Sequence, residues 1–243
     1  MALAKWENGL LNTLKILNMN RFLALSLFFS LGLPAMAQHT PQEWRDSLAV
    51  LNNAIRQSPS STDLRLKKAA VNIELGQWDY AVEEYGRVLE LDPKNLAARY
   101  FRAYSNVNRR HYSQARTDYE AFLAESPLHM EARLGLATVL EKLGRETDAR
   151  DELNRLVEMF PDSAVCHVAR ASFESVRGFV DLALYDWDEA IRINPTNTDY
   201  WVSKAELLIR ERRFSDARSV LEKAVRQGIP RGQLKPWFDR CKP

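Results

Sequence analysis

The sequence predicts an all-α protein, a solenoid of stacked helical hairpins, and three periodicities predict it. Pro59, Pro93, Pro127, Pro161 and Pro195 stand 34 residues apart and use half of the prolines. Ala69, Ala103, Ala137, Ala171 and Ala205 keep the same spacing, as do Ala81, Ala115, Ala149, Ala183 and Ala217. Gly76, Gly144 and Gly178 share a further phase, with Arg110 and Arg212 in its two remaining slots. Each phase has a physical task. Proline lacks an N–H and biases the residue before it away from the α region, so it ends one helix per period. Glycine at mid-period suits a helix C-terminus that turns through positive φ. The stretch on either side is long enough for a helix of about 3–4 turns. The two alanine phases, one per helix, mark where the helices cross too closely for a larger side chain. Tyr85, Tyr119, Leu153, Trp187 and Leu221 follow the second alanine by one helical turn, on the same buried face.

In chain order, the first element is an address. The longest apolar run, Phe22 to Leu33, is too short for a hydrocarbon core that needs about 20 residues. Arg21 before it and the small residues Ala35 and Ala37 after it complete the pattern of a secretory signal, residues 1–37, cleaved after Ala37. Residues 1–18 either precede a true start at Met19 or form a short amphipathic helix through Leu3, Trp6, Leu10, Leu14 and Leu17. Residues 38–61 then hold one capping helix, from about Pro41 to Gln57, with Trp44, Leu48, Leu51 and Ile55 as its apolar stripe. Five repeats follow, 62–95, 96–129, 130–163, 164–197 and 198–231. In the tail, 232–243, Leu234, Trp237 and Phe238 are expected to cover the last repeat, whose outer face would otherwise be bare.

The pattern resembles the tetratricopeptide repeat (TPR), a 34-residue helical hairpin; LGQWDYAVEEYGRVLELDP, from Leu75 to Pro93, is close to its consensus. The resemblance implies a right-handed α-solenoid. Two departures stand out. The family's early aromatic in the first helix occurs only as Trp201, its phase being Arg65, Arg99, Arg133 and His167 elsewhere. In the fifth repeat Ile229 stands where Pro is expected, with Pro230 one step late.

The resemblance also implies a groove lined by the first helix of each hairpin. Its fifth places are Leu66, Tyr100, Leu134, Val168 and Val202; its ninth are Ala70, Tyr104, Thr138, Ser172 and Glu206. Its twelfth are Ile73, Val107, Glu141, Ser175 and Ile209. Leu66, Ile73, Tyr100, Tyr104, Val107, Leu134, Val168 and Val202 are therefore the candidate partner-binding residues. Tyr100 and Tyr104, with Phe101 between them, either form a recognition patch or pack between adjacent helices. The family's clamp for an acidic tail needs paired basic and Asn side chains in these phases, and no such set occurs. Arg65, Arg99 and Arg133, a ladder at the period, with Lys68, Arg102, Arg170 and Lys204 in the neighbouring phase, read either as a basic ridge for an acidic partner or as solvated helix faces paired with acids such as Asp92 and Glu131, which is what such charge runs usually are.

Function classes narrow accordingly. The chain has 243 residues with ordinary globular composition and a formal charge of +2, no footprint for nucleic acid. Cleavage after Ala37 removes three basic residues and one acidic, leaving the signs balanced. Cys166 and Cys241 cannot build a four-ligand metal site. His39, His111, His129 and His167 show no metal-ligand spacing, and no phosphate loop or nucleophile elbow occurs. The expectation is an exported scaffold or adaptor of the cell envelope, periplasmic or secreted, with a protein or peptide partner. No enzyme activity, cofactor or lasting membrane anchor is expected. The rivals are a solenoid that self-associates end to end or through Trp237 and Phe238, and a small-molecule or glycan binder.

Overall fold

The computed structural model describes residues 40–241; the expected leader, the start at Met19 and the cleavage site lie outside them. The described residues are all-helical, twelve helices running as consecutive hairpins. A lone helix α1 (Pro41–Gln57) precedes the pairs α2 (Thr62–Glu74) and α3 (Trp78–Leu91), and α4 (Leu96–Asn108) and α5 (Tyr112–Glu125). Next come α6 (Met130–Lys142) and α7 (Glu146–Met159), then α8 (Ala164–Val176) and α9 (Val180–Ile193). The last pair is α10 (Thr198–Arg210) and α11 (Phe214–Arg226), followed by α12 (Arg231–Arg240). Two compact units divide between Ala149 and Arg150, inside α7. In the first, each of α1 to α6 packs on the next and α4 also touches α6. In the second, α8 to α12 pack in sequence, and α12 lies against both α10 and α11.

Two kinds of turn punctuate these helices. At the end of each hairpin the N–H of Ser61, Asn95, His129, Ser163 or Asn197 bonds the carbonyl three residues back, closing a β-turn with the periodic proline in its second place. The closing residue is the N-cap of the next helix. Ser61 Oγ, Asn95 Oδ1, His129 Nδ1 and Asn197 Oδ1 each accept a first-turn N–H. At mid-hairpin Gly76, Arg110, Gly144, Gly178 and Arg212 all take positive φ, as their shared phase predicts. The next N–H closes a six-residue ring, Gln77 on Asn72 at 2.8 Å and likewise at the other four, the Schellman ending of a helix. Arg110 at φ 60° and Arg212 at φ 58° hold that turn with a Cβ, which costs about 1–2 kcal/mol.

The core follows the sequence phases. All ten periodic alanines are buried, and Tyr85, Tyr119, Leu153, Trp187 and Leu221 are buried beside them. In the first unit Ala69, Ala81, Ala98, Tyr85 and Val88 share one cluster, with Trp78, Phe101 and Tyr104 packed on its edge. In the second, Ala171, Ala183 and Trp187 form another. Gly135 of α6 leaves room for Tyr119, whose Cζ would lie 2.5 Å from an added Cβ.

Opposite substitutions test this backbone reading. Gly135→Ala drives a methyl into a buried ring and is expected to lower stability by about 1–3 kcal/mol. Arg212→Gly relieves the left-handed turn and is expected to add up to about 1 kcal/mol. Thermal unfolding followed by circular dichroism measures both, and equal signs would contradict the assignment.

Candidate functional site

The basic ladder is spent inside the hairpins. Counting from Thr62, Leu96, Met130, Ala164 and Thr198, the fourth residue of every repeat donates to the carbonyl of the preceding periodic proline. Arg65 Nη2 reaches Pro59 at 2.8 Å, Arg99 Nη2 reaches Pro93 at 2.6 Å and Arg133 Nη2 reaches Pro127 at 2.7 Å. His167 Nε2 lies 2.9 Å from the Pro161 carbonyl, and Trp201 Nε1 donates to Pro195 at 2.9 Å. Arginine, histidine and tryptophan share the phase because each carries an N–H at that reach.

The seventh place pairs with a buried acid at the twenty-third, on the facing helix. Lys68 and Arg65 meet Glu84 at 2.8 and 2.9 Å. Arg102 forks onto Asp118 at 2.7 and 2.8 Å, and this bonding lifts its guanidinium above the usual range. Arg170 forks onto Asp186, which is 1% exposed and also meets His167 Nδ1 at 2.8 Å. The acids expected from sequence, Asp92 and Glu131, are not the partners: Asp92 bonds Asn95 and Lys94, and Glu131 lies beside His129. Places seven and twenty-three face each other across the hairpin, whereas Asp92 and Glu131 sit at its ends. The missed signal was an acid at the same period, Glu84, Asp118, Glu152 and Asp186.

The groove phases divide by exposure. Tyr100 is 3% exposed, its ring enclosed by Phe101, Tyr119, Phe122 and His129 with centroids 5.1 to 6.0 Å away. Its hydroxyl has no partner among the described residues, and burial pushes the phenol up. Leu134 is 2% exposed, and Ile73 and Val107 are buried too. As surface for a partner these four are corrected to core. Leu66 and Tyr104 remain partly exposed on one cluster, Tyr104 held edge-on to Trp78 with centroids 5.9 Å apart.

In the second unit Val168 is buried and Val202 partly exposed. There α12 covers the last repeat. Leu234, Phe238 and Cys241 join the core of α10 and α11, while Trp237 Nε1 bonds Glu206 at 3.0 Å and Arg240 meets it at 3.3 Å. Glu206 is a groove-phase residue, so the chain's own tail occupies that place. Phe238 is therefore core, and the partly exposed Trp237 is held by Glu206. Cys166 and Cys241 are both buried and unbridged.

Removing Asp186 by Asp186→Ala strands buried charges and is expected to cost about 3–5 kcal/mol. The combination His167→Trp, Arg170→Leu, Asp186→Val, which copies residues found at the same places in other repeats, is expected to recover most of that loss in the same unfolding measurement.

Comparison with known proteins agrees with this geometry. Residues 102–164 match the tetratricopeptide repeat family model. Tetratricopeptide repeat protein 6 of Homo sapiens is 20% identical over 195 residues, 79% of this chain, which spans only 37% of that protein's length. A tetratricopeptide repeat protein from Parabacteroides merdae has a similar structure, at TM-score 0.59 and 18% identity, covering 82% of this chain and 78% of that one. YrrB, described as a TPR protein with an unusual peptide-binding site, aligns at TM-score 0.57 and 20% identity over 74% of this chain and 93% of its own. MamA from Desulfovibrio magneticus aligns at TM-score 0.62 and 15% identity, over 74% and 96%. At these identities the structures speak for the fold alone.

Proposed function

We propose that this chain, a tetratricopeptide-repeat protein, is an exported scaffold or adaptor that holds an extended segment or helix of a partner protein against the first helices of its hairpins. Repeat proteins of this kind are generally protein–protein interaction scaffolds rather than enzymes. The observation that carries the reading is the partly exposed Tyr104, held edge-on to Trp78 and packed, like Leu66, against the cluster shared by α2, α3 and α4. A ring fixed in place and partly exposed offers apolar area and a polar tip at little cost in side-chain entropy. The peptide-binding site described for YrrB supports a peptide or protein as the partner class. Export rests on the run Phe22 to Leu33 and the small residues Ala35 and Ala37. No helix among the described residues is long and apolar enough to cross a membrane.

Two experiments test the two parts. Crosslinked partners recovered with the wild-type chain are expected to be lost with Leu66→Ala/Tyr104→Ala, while Tyr100→Phe, a change inside the core, keeps them. Recovery of the same proteins with the double variant would refute the assigned face. N-terminal sequencing of protein recovered from cells is expected to begin at Gln38, and an intact leader would remove the export reading.

A further inference from the structure

The opposite side of α4 carries a second site. At 100° per residue, Arg102, Asn106 and Arg109 lie about half a helical turn round from Tyr100, Tyr104 and Val107. They floor a cleft of about 320 Å³ in the first unit, walled by Val82 of α3 and by Gln114, Thr117 and Asp118 of α5.

This cleft holds more donors than acceptors. Arg102 spends Nε and Nη2 on Asp118, and its Nη1 meets no acceptor among the described residues. Arg109 pairs through Nε with Asp79 at 2.6 Å and donates Nη1 to Asn106 Oδ1 at 3.3 Å, which leaves Nη2 unspent. Asp79 is 80% exposed, so its hold on Arg109 is weak and open to exchange. Asn106 is 3% exposed, yet its amide nitrogen finds no acceptor among the described residues. Thr117 already donates to the Ser113 carbonyl at 3.2 Å. Asp118 is taken by Arg102 and Asp79 by Arg109, so the charges balance, and a bound carboxylate would take the place of the exposed Asp79. A group that accepts without donating, carries one negative charge and is planar meets every one of these conditions.

The place of Asn106 is Glu174 in the fourth repeat, buried, with Oε2 unpartnered; burial and the neighbouring Asp186 push its carboxyl above the usual range, against the pull of Arg170 and Arg150. In the second repeat a neutral amide stands there instead, and the cleft is open.

We propose that this cleft is a binding site for a carboxylate, the side chain of an aspartate or glutamate presented by a partner protein, recognised by Arg109 and Asn106. It uses the face of α4 away from Tyr104 and does not depend on the groove reading. The test is a titration of the full chain, ¹⁵N-labelled, with N-acetyl-aspartate methylamide, a probe with one carboxylate. Saturable shifts are expected at the Nε–Hε signals of Arg102 and Arg109 and at the Asn106 amide, with none from the N-acetyl-asparagine counterpart. Arg109→Gln, and Gln114→Glu, which places a carboxylate in the wall from an exposed position, are each expected to weaken binding at least about tenfold. Gln114→Glu should do so with helix content unchanged. Shifts that do not saturate, an equal response to the asparagine probe, or full affinity in Gln114→Glu would overturn the site. Tighter saturation by inorganic phosphate would overturn the carboxylate assignment.

Discussion

Close approach of the two helices in each hairpin governs the rest of the structure. An alanine on each helix, buried in every repeat, lets the backbones meet where a larger side chain would force them apart at a cost of about 1–3 kcal/mol. That approach brings the seventh place of one helix over the twenty-third of the other, so a cation and an acid are buried together between them. One turn beyond the second alanine, Tyr85, Tyr119 or Trp187 fills the space left beneath. Where the ion pair is absent, apolar residues stand in: Leu136 at the seventh place of the third repeat and Val220 at the twenty-third of the fifth. The polar members left over, Glu152 and Lys204, pair instead with Arg155 and Asp188.

The hydrogen bond onto each periodic proline's carbonyl ties one hairpin to the turn before it. A proline carbonyl in a tight turn has no helical N–H to donate to it, and a side chain six residues on supplies the donor. Each such bond contributes about 0.5–1.5 kcal/mol net. Arg65, Arg99 and Arg133 read as a basic ladder in the sequence, but each is engaged within the fold on a proline carbonyl.

Helix α4 divides its faces between core and surface. Tyr100 gives its ring to the core and Arg102 anchors Asp118. Tyr104 stays partly exposed on one side, and Arg109 and Asn106 keep donors without an acceptor among the described residues on the other. In the second unit, α12 claims Glu206 for the chain's own cap.

By itself the sequence determined what depends on local chain chemistry. The 34-residue period, the proline turns and the left-handed glycines were legible from each residue's own backbone preference, while Arg110 and Arg212 were marked only by their place in the glycine phase, against their own φ preference. Tertiary structure decided which side chains are spent. Tyr100 and Tyr104 have the same composition and adjacent phases, yet one is enclosed by Tyr119, Phe122 and His129 and the other is not, since burial is set by the neighbouring helices. Asp118 rather than Asp92 answers the basic ladder because pairing follows distance across a hairpin, not along the chain. The donor-rich cleft beside Arg109 was invisible for the same reason: it exists only where α3, α4 and α5 meet, and the counting of donors against acceptors begins with that meeting.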